Sequence, residues 1–254
     1  MRSERFPIQG PIGLTVRLEA GEVHVETADV PEATVELQPL NDGARKAVDE
    51  ARIKLDGTEL LVEVGGWRLG RVRISVTVGR GPEVRATIRL PHGSRLRCDV
   101  VTADVIATGR YGEADVRTVS GDVRVGDVQG AGVFKSVSGD VDVQRVGGQA
   151  NVSSVSGDVI VAELDGGAGA KTVSGDLAFE SVGKGAIQAQ SVSGDIKFGV
   201  RNGASLFVDA SSVSGDTVSE LELGEGPPEG QKTTLELRAK SVSGDIRIVR
   251  AAAR

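Results

Sequence analysis

Seven copies of the pentad (Ser/Thr)-Val-Ser-Gly-Asp punctuate this chain, starting at Thr118, Ser136, Ser154, Thr172, Ser191, Ser212 and Ser241. The first four starts lie 18 residues apart and the later gaps are 19, 21 and 29; a degenerate copy, Val101-Thr102-Ala103-Asp104, precedes them in the same register. Repetition at so short a period means one small unit stacked on itself, because a single unit cannot bury its own apolar face.

With the pentad as positions 1 to 5, apolar residues recur at position 2 (Val119, Val137, Val155, Val173), position 6 (Val123, Val141, Val159, Leu177), position 8 (Val125, Val143, Val161, Phe179) and position 11 (Val128, Val146, Leu164, Val182). Small or apolar residues fill position 15 (Gly132, Ala150, Ala168, Ala186) and position 17 (Phe134, Val152, Ala170). The spacing repeats after nine residues, and glycine follows it at position 4 (Gly121, Gly139, Gly157) and position 13 (Gly130, Gly148, Gly166). Each unit is therefore two halves, each a short strand with period-two side chains and a corner where glycine supplies positive φ. The pattern predicts an all-β fold, a parallel β-solenoid (β-helix) of about 18-residue coils, with strands about 4.8 Å apart and the valines of positions 2, 6 and 8 inside.

Residues 100–254 hold the regular repeats. Residues 1–99 read as an irregular β-rich cap or as worn solenoid coils, with a separate β-domain as the competing reading. Strand alternation is visible in Leu14 to Leu18, Val23 to Val25, Val35 to Leu37 and Leu61 to Val64, and Gly21-Glu22-Val23-His24-Val25 echoes the repeat. One short helix is expected where Asn41 or Asp42 caps a segment with Ala44, Val48 and Ala51 on one face. Gly224 to Gly230 reads as a protruding turn inside the 29-residue unit.

The chain is 39% apolar, enough for a core, but its aromatics are five Phe, Trp67 and Tyr111, so the core is aliphatic. The lone Cys98 has no partner for a disulfide and sits in an alternating strand as a small core residue. The amino-terminal stretch MRSERFPIQGPIGLTV carries no secretory pattern, and no run approaches 18 apolar residues, so the expectation is a cytoplasmic chain without membrane insertion. Residues 1–99 balance 15 basic against 15 acidic side chains, which leaves the net charge of −6 on 100–254 and argues against nucleic acid as a partner. Eight arginines (Arg68, Arg71, Arg73, Arg80, Arg85, Arg89, Arg95, Arg97) face a single acid, Glu83, within one stretch. On a shared face they attract anions; spread over outer strand positions they shield sheet edges.

Two ladders are the candidate ligand-facing residues. Asp122, Asp140, Asp158, Asp176 and Asp195, continued by Asp216 and Asp245, stack at one corner; they suit calcium or, equally, capping of backbone N–H groups. Only one half-unit carries the acid, since the matching place holds Ala131, Gln149 and Gly167, so no metal site is assigned. Ser120, Ser138, Ser156, Ser174 and Ser193 form one hydroxyl row, Thr118, Ser136, Ser154, Thr172 and Ser191 a second, and both are expected to point outward from an inward valine. Such rows suit a repetitive ligand such as a glycan, or bond among themselves. Position 18 is often basic (Arg117, Lys135, Lys171, Lys240).

No catalytic constellation assembles. His24 and His92 have no nucleophile at a recognisable spacing. Gly166 to Thr172 imitates a phosphate loop, but Ala170 occupies the place of the glycine before the lysine. Trp67 suits a partner anchor or an end cap.

The Ser-Val-Ser-Gly-Asp-Val ladder, the Gly21-x-Val-x-Val strand and Leu90-Pro91-His92-Gly93-Ser94 together resemble the DUF4097 family of bacterial β-strand-repeat proteins, whose members carry an adhesin label. The resemblance spans nearly the whole chain and implies a repeat fold with an interaction role. The reading is a non-enzymatic scaffold or binding surface without cofactors, holding an unknown protein or glycan and self-associating through its ends. A calcium-responsive module and a carbohydrate-active enzyme on a β-helix are the alternatives.

Overall fold

Alternating apolar and polar side chains, the pattern of a strand with one buried face, run through nearly every segment of the computed structural model, which describes residues 1–65, 81–221 and 235–252. Trp67, Arg68, Arg71, Arg73, Arg80 and the Gly224–Gly230 turn lie outside the described residues. In chain order the first strands are β1 (Arg2–Pro7), β2 (Gly13–Ala28), β3 (Glu32–Pro39), β4 (Arg52–Asp56), β5 (Glu59–Val64), β6 (Val84–Pro91), β7 (Arg95–Tyr111), β8 (Ala114–Arg117) and β9 (Val123–Val128). There follow β10 (Gly132–Lys135), β11 (Val141–Val146), β12 (Ala150–Ser153), β13 (Val159–Leu164), β14 (Ala168–Lys171), β15 (Leu177–Val182), β16 (Gly185–Gln190), β17 (Ile196–Val200), β18 (Leu206–Ser212), β19 (Thr217–Ser219), β20 (Leu235–Ser241) and β21 (Ile246–Arg250). The fold is an all-β parallel solenoid of about 18-residue coils. It divides into two compact units, Met1–Gly126 and Asp127–Arg254.

In the first unit β2 turns a corner at Gly21, whose φ of 121° and close approach to Val84 both exclude a Cβ. Its first half lies parallel between β5 and β7 and its second half between β6 and β7. Gly21 faces Ala103, Glu22 faces Asp104 and Val23 faces Val105, so the echo of the repeat stacks in register on the degenerate pentad. Outside these coils, β4 pairs antiparallel with β5, β3 with β6 and β1 with β3. The helix α1 (Ala44–Asp49) buries Ala44 and Val48 as expected. Its N-cap is Gly43, with no side-chain cap: the Asn41 amide donates instead to the Gly81 carbonyl (2.9 Å), and Asp42 pairs with Arg45 (3.3 Å).

The second unit has two parallel ladders, β10-β12-β14-β16-β20-β18 and β11-β13-β15-β17-β21-β19. Columns at positions 6, 8 and 11 are buried, and where two phenylalanines meet, Phe179 and Phe198, their rings stack at 5.7 Å. The 19-residue unit shifts one expected inward residue. Ala186 is exposed and Ile187 takes its place opposite Ala168, because the additional residue is absorbed beside Gly185, at φ 100°. The coils are also not stacked in chain order at the end, where β20 and β21 lie between the coil of β16/β17 and the coil of β18/β19.

Candidate functional site

The pentad corner departs from the expected orientation. Position-2 valines point into solvent: Val137 and Val155 are 45% exposed and Val173 47%, whereas the position-1 hydroxyls Ser136, Ser154 and Thr172 are buried. A corner leaves backbone groups unpaired in the interior, and an alcohol can satisfy them where a valine cannot. The Ser154 hydroxyl donates to the Gly157 carbonyl (2.7 Å) and accepts from the Gly157 N–H (3.1 Å); Thr118 treats Gly121 in the same way (3.0 and 2.9 Å). The regular strand begins only at position 6, so period-two orientation does not carry back through the corner.

The glycines here also have a different role from the one expected. No pentad glycine has positive φ. A Cβ built on Gly157, Gly175, Gly194 or Gly244 would instead overlap a carbonyl oxygen of the neighbouring coil, so glycine is required for close backbone approach.

The two candidate ladders are both engaged in inter-coil bonding. The hydroxyls of Ser156, Ser174 and Ser193 donate to the carbonyls of Val137, Val155 and Val173 at 3.2 to 3.3 Å. The N–H groups of Asp158, Asp176 and Asp195 donate to Oδ1 of Asp140, Asp158 and Asp176 at 2.8 to 2.9 Å, and Asp122 N–H donates to Asp104 Oδ1 at 3.0 Å. Ser120 and Ser138 hold the equivalent pentad places, both exposed. At Asp245 the N–H of Asp216, and then the Arg247 guanidinium, hold the carboxyl below its ordinary range. Among the described residues no three His, Cys, Asp or Glu side chains cluster as metal ligands.

Three outward columns lie side by side on this face, because positions 16, 18 and 2 alternate outward. The middle column runs Lys135, Ser153, Lys171, Gln190 and Lys240; its lysines, on every second coil, are exposed and have no ion pair among the described residues, and Val137, Val155, Val173, Val192 and Val242 run beside it. The sequence pattern places this valine column inside, and the structure places it outside.

Several charges elsewhere are paired. The described members of the arginine stretch each meet a carboxylate: Arg85 with Glu22 (2.8 Å), Arg89 with Glu26 (3.1 Å), Arg95 with Glu59, and Arg97 with Asp99 (3.3 Å). Asp165 receives Arg201 (2.6 Å) and Arg145 (2.7 Å), which together outweigh its partial burial and lower its pKa. Beside that cluster a groove of about 480 Å³ is lined by Glu163, Glu180, Lys197, Arg201 and Arg250. His24 Nε2 lies 3.1 Å from Glu22, and His92 Nδ1 lies 3.1 Å from the Thr27 hydroxyl. Burial pushes the Cys98 thiol far up from its ordinary pKa. No described helix is long and apolar enough to cross a membrane.

The family model described as Toastrack DUF4097 matches residues 88–249. No curated protein matches the chain. Among solved structures, the "putative lipid binding protein" of Parabacteroides distasonis superposes with a TM-score of 0.58 at 14% identity, over 98% of this chain and 96% of its own. A "putative adhesin" of the same species gives 0.50 at 9% identity, over 97% and 96%. At these identities the likeness is one of fold.

Proposed function

The chain belongs to the Toastrack DUF4097 family, and on that footing we propose that it is a non-enzymatic scaffold whose pentad face holds a protein or glycan. The observation that carries this reading is the line of half-exposed valines beside exposed lysines that have no ion pair among the described residues. Valines in such a row gain nothing for the interior, and successive ones follow the strand spacing of about 4.8 Å. A partner that covers them removes apolar area from water, and the lysines of every second coil attract an anionic edge on that partner. The serine and aspartate ladders then serve as the frame that keeps the columns straight, rather than as direct contacts, since their hydroxyls and one carboxylate oxygen are already engaged. The adhesin name of one neighbour agrees with a binding role.

The test is a paired capture. Wild type and the double variant Val155→Asp, Val173→Asp are presented to an array of bacterial glycans and to extract from the native cell. Both substitutions are at exposed positions, so circular dichroism and Tm stay at wild-type values. The variant is expected to lose the partner that wild type retains. Equal retention by both chains would remove the face from consideration.

A further inference from the structure

The coil Leu235–Arg250 is the last described in the chain but not the last in the stack. On one side Gly185, Ile187 and Ala189 of β16 face its Leu235, Leu237 and Ala239; on the other, Leu206, Val208 and Ala210 of β18 face the same three residues. The pentad bonds run through it equally on both sides. Asp245 N–H donates to Asp195 Oδ1 (2.8 Å), and Asp216 N–H donates to Asp245 Oδ1 (2.9 Å). The coil fills a slot whose two walls are made by chain that precedes it.

The spacing of the walls is built into the connection between them. From the last buried residue of one coil to the first matched inward residue of the next, the offset is four residues for Leu164 to Ala168 and five for Val182 to Ile187. From Val200 to Val208 it is eight. Three more residues of chain add up to about 10 Å of reach, which more than covers one additional 4.8 Å spacing. Residues 220–234, fifteen in all, join the outer wall to the inserted coil, and fifteen residues can span about 50 Å. Returning by one coil needs far less than that.

From a slot set apart in advance, an insert that matches both walls residue for residue, and a tether longer than the return path requires, we infer that the carboxy-terminal coil is exchangeable. It enters the equivalent slot of a second copy of this chain, producing a coil-swapped dimer. Every contact inside the slot is the same whether the coil arrives from its own chain or from another, so the exchange adds no new interface chemistry and is governed by concentration. Outside the slot, β18, β19 and the corner between them leave Phe207, Val213 and Val218 exposed. That edge is a separate feature which the exchange does not use.

Full-length chains carrying one added cysteine each, beside the native buried Cys98, test the exchange. Phe207 and Glu236 are register partners with side chains outside the core, so Phe207→Cys and Glu236→Cys are placed to cross-link when the coil is seated. The double variant F207C/E236C, oxidised in dilute solution, is expected to give a cross-linked monomer. The two single variants, mixed, refolded together and oxidised, are expected to give a dimer linked through 207 and 236 by peptide mass. Its fraction should rise about tenfold for a tenfold rise in protein concentration while it is the minor species. If the double variant cross-links but the mixture yields no 207–236 dimer at any concentration, exchange does not occur. If the double variant fails to cross-link while its circular dichroism is native, the coil is not in the slot and the inference falls.

Discussion

Gly157 has no side chain, and that is what sets the distance between two coils. A Cβ there would overlap the Gly139 carbonyl oxygen, a backbone atom that cannot swing aside, so Gly157→Ala is expected to cost about 2 kcal/mol or more in urea unfolding. Gly10, with open space around it and no positive φ, is the control; alanine there should leave stability unchanged or raise it by a few tenths of a kcal/mol. The aspartate column makes a sharper distinction. Asp158 accepts the Asp176 N–H through Oδ1, which an asparagine oxygen reproduces without the charge, while Asp140 and Asp176 hold the neighbouring places. Asp158→Asn should therefore match or exceed wild-type stability, and Asp158→Ala should lose about 1 kcal/mol. If both substitutions cost the same, the carboxylate acts by charge and the hydrogen-bond account is wrong.

At the scale of strands and corners, the sequence was legible wherever one face repeats. Positions 6, 8 and 11 alternate or space like core positions, and Val141, Val143 and Val146 are all buried. The corner was not legible, because position 2 lies four residues before position 6, a separation that period-two logic places on the same side only if the segment between is extended. It bends instead, and burial passes to the hydroxyl at position 1. The opposite side of the coil contributes its own prediction. Asp165 links Arg145 at the end of β11 to Arg201 just past β17, and these partners lower its pKa in the folded state. A depressed carboxylate adds stability that is present above its unfolded value of about 3.9 and is lost as pH falls through the folded value. Acid unfolding of wild type should therefore steepen below about pH 4, and Asp165→Asn should be less stable at pH 7 yet show a shallower decline in that window.

For the molecule as a whole, the aspartate column decides between a metal-dependent and a metal-independent solenoid. With Oδ1 of Asp140, Asp158, Asp176, Asp195 and Asp245 each occupied by a neighbouring N–H, the corner holds its coils together through the backbone. The expected outcome is a Tm that is the same in millimolar calcium and in chelator; a calcium-dependent rise would assign the column to the ion instead. The order of coils is where sequence reading had least purchase. Gaps of 21 and 29 between pentads announce longer connections, but a longer connection alone does not say that one coil is to be skipped and later filled. That skipped place also bears on how the protein is made. A ribosome delivers Leu206–Ser219 before Leu235–Arg250 exists, so the growing chain holds an outer wall with nothing yet to lean on. Winding can follow translation through β17, but completion waits for residue 250. A chain stalled near residue 221 would meet quality control with that wall unsupported.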